Sequence, residues 1–218
     1  MRKVVAAAFV SLDGVMQAPG GPEEDPTGGF TQGGWTATYW DEIMGQSMDI
    51  FGGPFDLLLG RKTYEIFAAH WPYVTDDPIG EAFTACTKYV ATSSAAPLTW
   101  ANSKALHDPV AEVTRLKQAE GPVLLTQGSS QLLQALIAAG LVDEFRLMTF
   151  PVVLGRGKKL FGEGLPAFAL TLADSKVSTT GVTIATYLPA GAVPLGSFAL
   201  EEPTEAELAR RERMRREG

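Results

Sequence analysis

The chain has 218 residues, 45% of them hydrophobic and 20% charged, with a formal net charge of -7. This is the composition of an ordinary globular protein, and the acidic balance argues against nucleic acid as the main partner. No apolar run approaches the roughly 20 residues of a membrane-spanning helix, the single Cys86 excludes an internal disulfide framework and fits a reducing cytoplasm, and His70 and His107 lie too far apart in sequence for a zinc motif.

The N-terminal MRKVVAAAFV lacks the long apolar core and small-residue cleavage site of a signal peptide, so Lys3–Val10 reads as a buried first strand. SLDG, Ser11–Gly14, interrupts it. Residues 17–34 are rich in Gly and Pro, which predicts a long irregular loop of the kind that covers a site. Trp40, Ile43, Met44, Ser47, Ile50 and Phe51 then share one helical face, and Gly52-Gly53-Pro54 stops it.

Leu57–Glu65, LLLGRKTYE, is an apolar strand that meets Gly60 and opens a helix carrying Tyr64, Phe67, Ala68 and Trp71 on one side. A helix start leaves free backbone N–H groups, and Arg61, Lys62 and Thr63 stand beside them. Helix dipole, cations and hydroxyl all favour an anion, so this turn is a phosphate-site candidate. Lys88–Ser94, KYVATSS, is a strand ending in Thr92, Ser93 and Ser94. Asp108-Pro109 caps a helix that runs to Gly121. Leu124–Ser130, LLTQGSS, repeats the strand–glycine–helix pattern, with Gln127, Gly128, Ser129 and Ser130 at the turn. Leu132, Leu133, Leu136 and Ile137 line the helix that follows, up to Gly140. Each of these turns also reads as an ordinary capped helix or polar loop when taken alone.

From Asp143 the pattern changes to period two, and Phe168–Ala173 and Val182–Leu188 read as two further strands. Strand–helix alternation followed by a run of strands predicts an α/β fold, a mostly parallel central sheet between helical layers with an antiparallel C-terminal edge. Residues 1–188 form the predicted domain, and residues 189–218 a connector and a charged helical tail with capping-box spacing at Thr204 and Glu207.

Two carboxylates have alternative readings. Asp13 either orients a substrate or closes an Asp-Gly turn, and Asp41 either faces a pocket or supports a helix start. The glycine-rich basic run Gly155–Lys159 either holds an anionic group or is a tight loop with solvated charges.

The order SLDG, LLLGRKTYE, KYVATSS, LLTQGSSQLLQALIAAGLVDEFRL and FPVVLGRGKKLF resembles the dihydrofolate-reductase-like superfamily over residues 2–188. It is most similar to the branch holding the reductase domain of bacterial riboflavin biosynthesis proteins and its stand-alone relatives. The resemblance implies a three-layer sandwich and an NADPH-dependent reductase of a small heterocycle or carbonyl compound, such as 5-amino-6-(5-phosphoribosylamino)uracil or dihydrofolate. It assigns Gly60, Arg61, Lys62 and Thr63 to the 2′-phosphate side of NADPH, and Thr92, Ser93 and Ser94 to the adenosine half. Gln127, Gly128, Ser129 and Ser130 go to the pyrophosphate, and Val10, Gly14, Val15 and Met16 to the nicotinamide. Asp13, as a substrate-orienting carboxylate, and Asp41 are the catalytic candidates; the folate enzymes carry an acid in the first helix, with which Asp41 is only loosely in register. A cytoplasmic homodimer acting on a small molecule is the expectation, with no nucleic acid, membrane or metal partner. A nucleotide-binding regulator that kept the fold and lost turnover is the rival reading.

Overall fold

The computed structural model describes residues 1–217; Gly218 and the side chain of Ile50, which the sequence placed on the 40–51 helix face, lie outside the described residues. In chain order the main elements are β1 (Val4–Ser11), α1 (Glu42–Gln46), β2 (Phe55–Gly60), α2 (Arg61–Ala68), α3 (Pro78–Ala85), β3 (Lys88–Ala91) and β4 (Ser103–Leu106). There follow α4 (Pro109–Gln118), β5 (Val123–Gln127), α5 (Ser130–Ala138), β6 (Glu144–Phe150), β7 (Leu170–Val177), β8 (Thr183–Pro189) and α6 (Glu205–Glu217).

The strands form one sheet in the order β4-β3-β2-β5-β1-β6-β8-β7. β4 through β6 pair in parallel, whereas β8 is antiparallel to both β6 and β7. Helices cover both faces, which is why the strand residues read as continuous apolar runs. Leu57, Leu58 and Leu59 are all fully buried. Leu58 packs among Val113 of α4 and Leu133 and Leu136 of α5, while Leu57 and Leu59 pack among Tyr64 of α2 and Phe83 of α3. Each such leucine contributes roughly 1.5–3 kcal/mol through burial.

Buried cations close the sheet at its amino-terminal edge. Arg2, 5% exposed, pairs with Asp56 and donates from Nε to the Pro122 carbonyl at 2.6 Å. Asp56 also accepts from the Thr87 amide at 3.1 Å, so one ion pair ties the chain entering β1, β2, β3 and β5 together. Lys88, fully buried, ends α3. Its ammonium donates to the carbonyls of Phe83, Thr84 and Cys86 at 2.8–2.9 Å and lies 4.4 Å from the Trp100 ring centroid. Burial pushes the Lys88 ammonium below its ordinary value, and the three carbonyls at a helix C-terminus compensate the charge.

Three local expectations change. The face read from Trp40 to Phe51 is not one helix: α1 ends at Gln46, and a separate 3-10 turn covers Asp49–Gly52. Ser47 Oγ donates back to the Ile43 carbonyl at 2.6 Å, where it competes with the helix ladder. α3 and β4 are additional to the elements that the sequence predicts. β7 begins and ends later than the Phe168–Ala173 reading, because it is an exposed edge strand with a bulge between Leu172 and Asp174 and so carries no clean alternation.

The two carboxylates expected to do chemistry hold backbone instead. Asp13 accepts from Ser11 Oγ at 2.6 Å and from the amides of Leu154 and Gly155 at 3.0 and 2.7 Å. These bonds, the Ser11 hydroxyl first, hold its carboxyl at about 2. Asp41 caps α1 through the Met44 amide at 2.9 Å and binds Thr179 through both its amide and its hydroxyl at 2.7 Å. Each fastens a distant loop, 151–160 or 178–182, to the edge of the fold.

A folded-state value held below the unfolded one adds stability above about pH 4, and that stability is lost as pH falls toward about 2. Asp13→Asn should therefore lower the melting temperature at pH 7 by about 2–8 °C, from the ~1–2 kcal/mol of one or two lost backbone bonds. The difference from wild type should shrink as the solution is acidified through that window; thermal melts at several pH values check it.

Candidate functional site

β2 and β5 are neighbours and end at the same edge, so the two glycine turns expected to bind phosphate stand side by side. They are fastened to each other. The Gly60 amide donates to Ser129 Oγ at 2.8 Å, and the Ser129 amide donates to Thr63 Oγ1 at 3.0 Å. Gly128 sits at φ +62°, and a Cβ there would lie 3.1 Å from Thr63 Cγ2. Glycine is therefore required both by the left-handed backbone and by the close approach of α2.

The clasp leaves both helix starts open. α1, α3 and α4 have their first-turn amides capped by Asp41, Asp77 and Asp108. α2 and α5 have no side-chain cap at all. Their free first-turn amides project with the positive ends of two helix dipoles toward one cleft.

That cleft has a volume of about 1590 Å³. Gly60, Arg61, Lys62, Thr63, Thr92, Ser93, Ser94, Gln127, Gly128, Ser129 and Ser130 all line it, so the structure brings together the turns expected for the adenosine and pyrophosphate parts of a dinucleotide. At the Thr92 end, Ser94 donates its amide to Thr92 Oγ1 at 3.0 Å. Arg61 bridges α2 to the same loop, with Nε on Glu65 at 2.6 Å and Nη1 on the Ala96 carbonyl at 2.9 Å.

The four residues expected at the nicotinamide divide. Met16 lines the cleft. Val10 and Val15 are core residues, 5% and 0% exposed, and Gly14 forms a turn whose carbonyl accepts from Leu160 at 2.9 Å; none of the three is in the lining. Asp13 and Asp41 are absent from the lining too, in keeping with their backbone roles.

The long loop forms the opposite wall. Gln17 Nε2 donates to the carbonyls of Asp25 and Thr27 at 2.9 Å, and its Oε1 accepts from the Lys158 amide at 3.0 Å. Lys158 pairs with the buried Asp25, and Lys62 Nζ reaches Thr27 Oγ1 at 3.2 Å. Within the basic run Gly155–Lys159, the Lys158 side chain is thus a clamp on this loop. Gly157 is needed for it, because a Cβ there would lie 2.5 Å from Val15 Cγ1. Glu24 also lines the cleft; it accepts from the Gly20 amide at 2.6 Å, and burial pushes its carboxyl up.

Sequence reasoning missed the far end. Phe9, Met48, Met148 and Ile184 make an apolar bed, bordered by Arg146, Asp49 and Thr186. Arg146 is held by Glu144 at 2.6 Å and by Asp49 at 3.4 Å. The signal was present in the alternation of Glu144, Arg146 and Met148, but only the register Ala7↔Arg146, Phe9↔Met148 and Met148↔Ile184 turns those positions into a floor. His107, set aside as a metal ligand, lines the opposite end. Among the described residues no cluster of three metal-ligating side chains occurs, and no helix is long and apolar enough to cross a membrane.

Comparison with known proteins supplies relatives. The uncharacterized proteins YyaP and YwjB of Bacillus subtilis (strain 168) are 26% and 29% identical, matching 85% and 74% of this chain and 94% and 84% of their own lengths. Three solved structures share the fold. A putative riboflavin biosynthesis protein from Shewanella sp. PV-4 superposes with a TM-score of 0.58 at 18% identity, over 86% of this chain and 99% of that one. A pyrimidine reductase-like protein from Corynebacterium diphtheriae gives 0.54 at 12%, over 87% and 92%. Dihydrofolate reductase from Enterococcus faecalis, complexed with NADP(H), gives 0.53 at 16%, over 86% and 96%. The family pattern itself runs from residue 2, in the Arg2–Asp56 pair, to residue 184, in the far-end floor, and the chain belongs to the RibD C-terminal domain family.

Proposed function

We propose that the protein is an NADPH-dependent reductase that passes hydride to a small heterocyclic or carbonyl compound. One observation carries this reading: two uncapped helix starts, clasped side by side, open onto a cleft far larger than the roughly 300–1,000 Å³ of a typical single-ligand site. That volume has room for a dinucleotide and a second molecule. The solved structures of like fold include a dihydrofolate reductase complexed with NADP(H), which is consistent with it.

The residues fit such a cofactor on their own chemistry. The free amides of α5, at Ser130, Gln131 and Leu132, suit a pyrophosphate, and Gly128 lets it approach the backbone. Thr63 Oγ1 accepts from Ser129 and so keeps its own proton to donate. Arg61, on the Thr92–Ser94 side, suits a 2′-phosphate; Glu65 and the Ala96 carbonyl hold it in place there. The reduced nicotinamide would supply the hydride. Met16 and the wall of residues 17–25 would shield the far half of the cleft from water, and the bed of Phe9, Met48, Met148 and Ile184 would take a flat, weakly polar substrate.

The direct test is calorimetric titration with NADPH, followed by NADPH oxidation in the presence of aminopyrimidine and pteridine substrates. Binding with turnover supports the reductase; tight binding without turnover across the panel favours the non-catalytic nucleotide-binding reading; no binding removes both.

Two variants locate the cofactor. Arg61→Ala should weaken NADPH about tenfold, the equivalent of ~1.4 kcal/mol for one charge-assisted contact, and leave NADH within about twofold; equal NADPH affinity would remove the 2′-phosphate assignment. Thr63→Val removes one of the two clasp bonds, that from the Ser129 amide, and the Thr63 hydroxyl donor without changing side-chain size much. It should weaken NADPH and NADH alike by roughly tenfold, because both carry the pyrophosphate.

A further inference from the structure

The connector between β8 and α6 contains an apolar segment with no host in its own chain. Leu195 is 93% exposed, Leu200 70% and Val193 43%, and Phe198 is fully exposed. Single apolar side chains at a surface are ordinary, but here they crowd onto one short extended stretch. Its backbone is unmet as well. The last ladder bonds run from the Ala190 amide to the Ala169 carbonyl and from the Ala169 amide to the Gly191 carbonyl, both 2.8 Å. Among the described residues, no backbone group from 192 to 203 bonds another element, and the Ala199 amide meets only the neighbouring Ser197 Oγ, at 3.0 Å. This arm lies beyond residue 184, where the family pattern ends.

A surface of matching chemistry is open on the same molecule. β7 ends the sheet and pairs with β8 alone, so its outer row of amides and carbonyls is free. The register Phe145↔Tyr187↔Leu172 carries one face of the sheet from β6 out to that edge. Phe145 is 1% exposed and Leu172 is 52% exposed. The Phe168 ring stacks on Phe145 at 6.1 Å between centroids, and the half-exposed Phe161 ring lies 6.0 Å from Phe145. Phe161, Phe168, Tyr187 and Leu172 thus make an apolar stripe that joins the core beneath α5 at Phe145 and ends in the open at Leu172. The bulge between Leu172 and Asp174 interrupts the edge, which leaves residues 170–172 as the stretch where a further strand would pair.

We propose that residues 193–200 of one copy seat on this stripe and open edge of a second copy, which returns the same contact, so that the arms are exchanged in a two-fold dimer. The stripe needs an occupant that is extended, apolar and short of backbone partners, and the chain carries such a segment itself. Strand addition gains backbone hydrogen bonds along the edge and apolar contact from the side chains. A two-fold axis makes one patch serve both copies. Charge agrees with a second copy as the partner. Behind the arm, residues 210–216 hold five arginines and one glutamate, whereas the whole chain carries -7. Glu163 and Asp174 stand exposed beside the stripe and the edge. Neither the stripe nor the arm lines the cleft, so the proposal is independent of the reductase reading.

The experiment is size-exclusion chromatography with light scattering on the full chain at micromolar concentration. Wild type should run at twice the mass of one chain. Leu195→Asp with Phe198→Asp in the arm, and separately Leu172→Asp on the edge, should each raise the dimer dissociation constant at least about a hundredfold and give monomer, because each change is met twice across the axis. The arm substitutions fall on side chains that pack on nothing in their own chain, so that variant keeps the test valid even where Leu172→Asp fails to fold. A wild-type monomer overturns the proposal. So does a wild-type monomer whose melting temperature falls with the arm substitutions, which places the arm on its own chain. A dimer that survives either variant uses another surface and overturns it too. NADPH titration of the same variants reads the reductase proposal separately.

Discussion

The clasp between Gly60, Thr63 and Ser129 is the contact on which the rest of the site depends. Two hydrogen bonds, of 2.8 and 3.0 Å, join turns that are 66–69 residues apart in sequence. Their effect is geometric more than energetic, since neutral bonds of this kind add only about 1 kcal/mol each. They fix the spacing of two helix starts, and one of them uses the hydroxyl that stands at the N-cap of α5. Ser129 is the N-cap of α5, yet its oxygen serves β2, and its backbone adopts φ 59°, the left-handed conformation that non-glycine residues rarely take. Local strain and an uncapped helix are both tolerated here, and both leave first-turn amides facing the cleft. Elsewhere in the chain the same problem is solved the ordinary way, by aspartates at Asp41, Asp77 and Asp108.

Charge follows a similar division. The protein is acidic overall, at -7, but the cations nearest the cleft are placed by specific partners. Arg61 is steered by Glu65, Arg146 by Glu144 and Asp49, and Lys158 by Asp25. The more exposed of these pairs, Arg61–Glu65 and Arg146–Asp49, add little stability. What each does is hold a long side chain in one place at the rim. The buried Arg2–Asp56 pair differs: it sits at the opposite edge of the sheet, where it organises chain entry into four strands and touches no part of the cleft.

The sequence was most legible where one residue type has one physical use. Leu57–Leu59 had to be a strand covered on both faces, and Gly128, at φ +62°, had to be a turn. Position along the chain was enough to pair each turn with a helix, and the parallel order then put the turns together. Legibility failed where partners are distant. Nothing in SLDG reveals that Asp13 meets amides 141 and 142 residues away. Nothing near Trp40 reveals that Asp41 meets Thr179. α3 has the right cap, Asp77 before Pro78, but begins in a segment whose punctuation reads as loop. β4 is a short strand with exposed Lys104 and Ala105, and only its pairing with β3 makes it a strand. The far-end floor is built from cross-strand register, which composition does not encode.

The placement of acids bears on what the cleft does with protons. Asp13 and Asp41 are held low by the bonds they accept, so neither is disposed to carry a proton near neutral pH. Asp25 is held low as well, by Lys158 and Thr27 against the opposing effect of burial. Glu24 is the acid in the lining whose value moves upward, and the largest cause is burial, with Asp25 adding to it. Its Oε2 is engaged by the Gly20 amide, which leaves the other oxygen to the cleft. The loop that walls the cleft therefore brings in, one residue apart, an ion-paired aspartate that anchors it and a glutamate biased toward its neutral form. Asp25 fastens this wall through Lys158, and Glu24, one residue away, lines the cleft with its carboxyl shifted upward by burial.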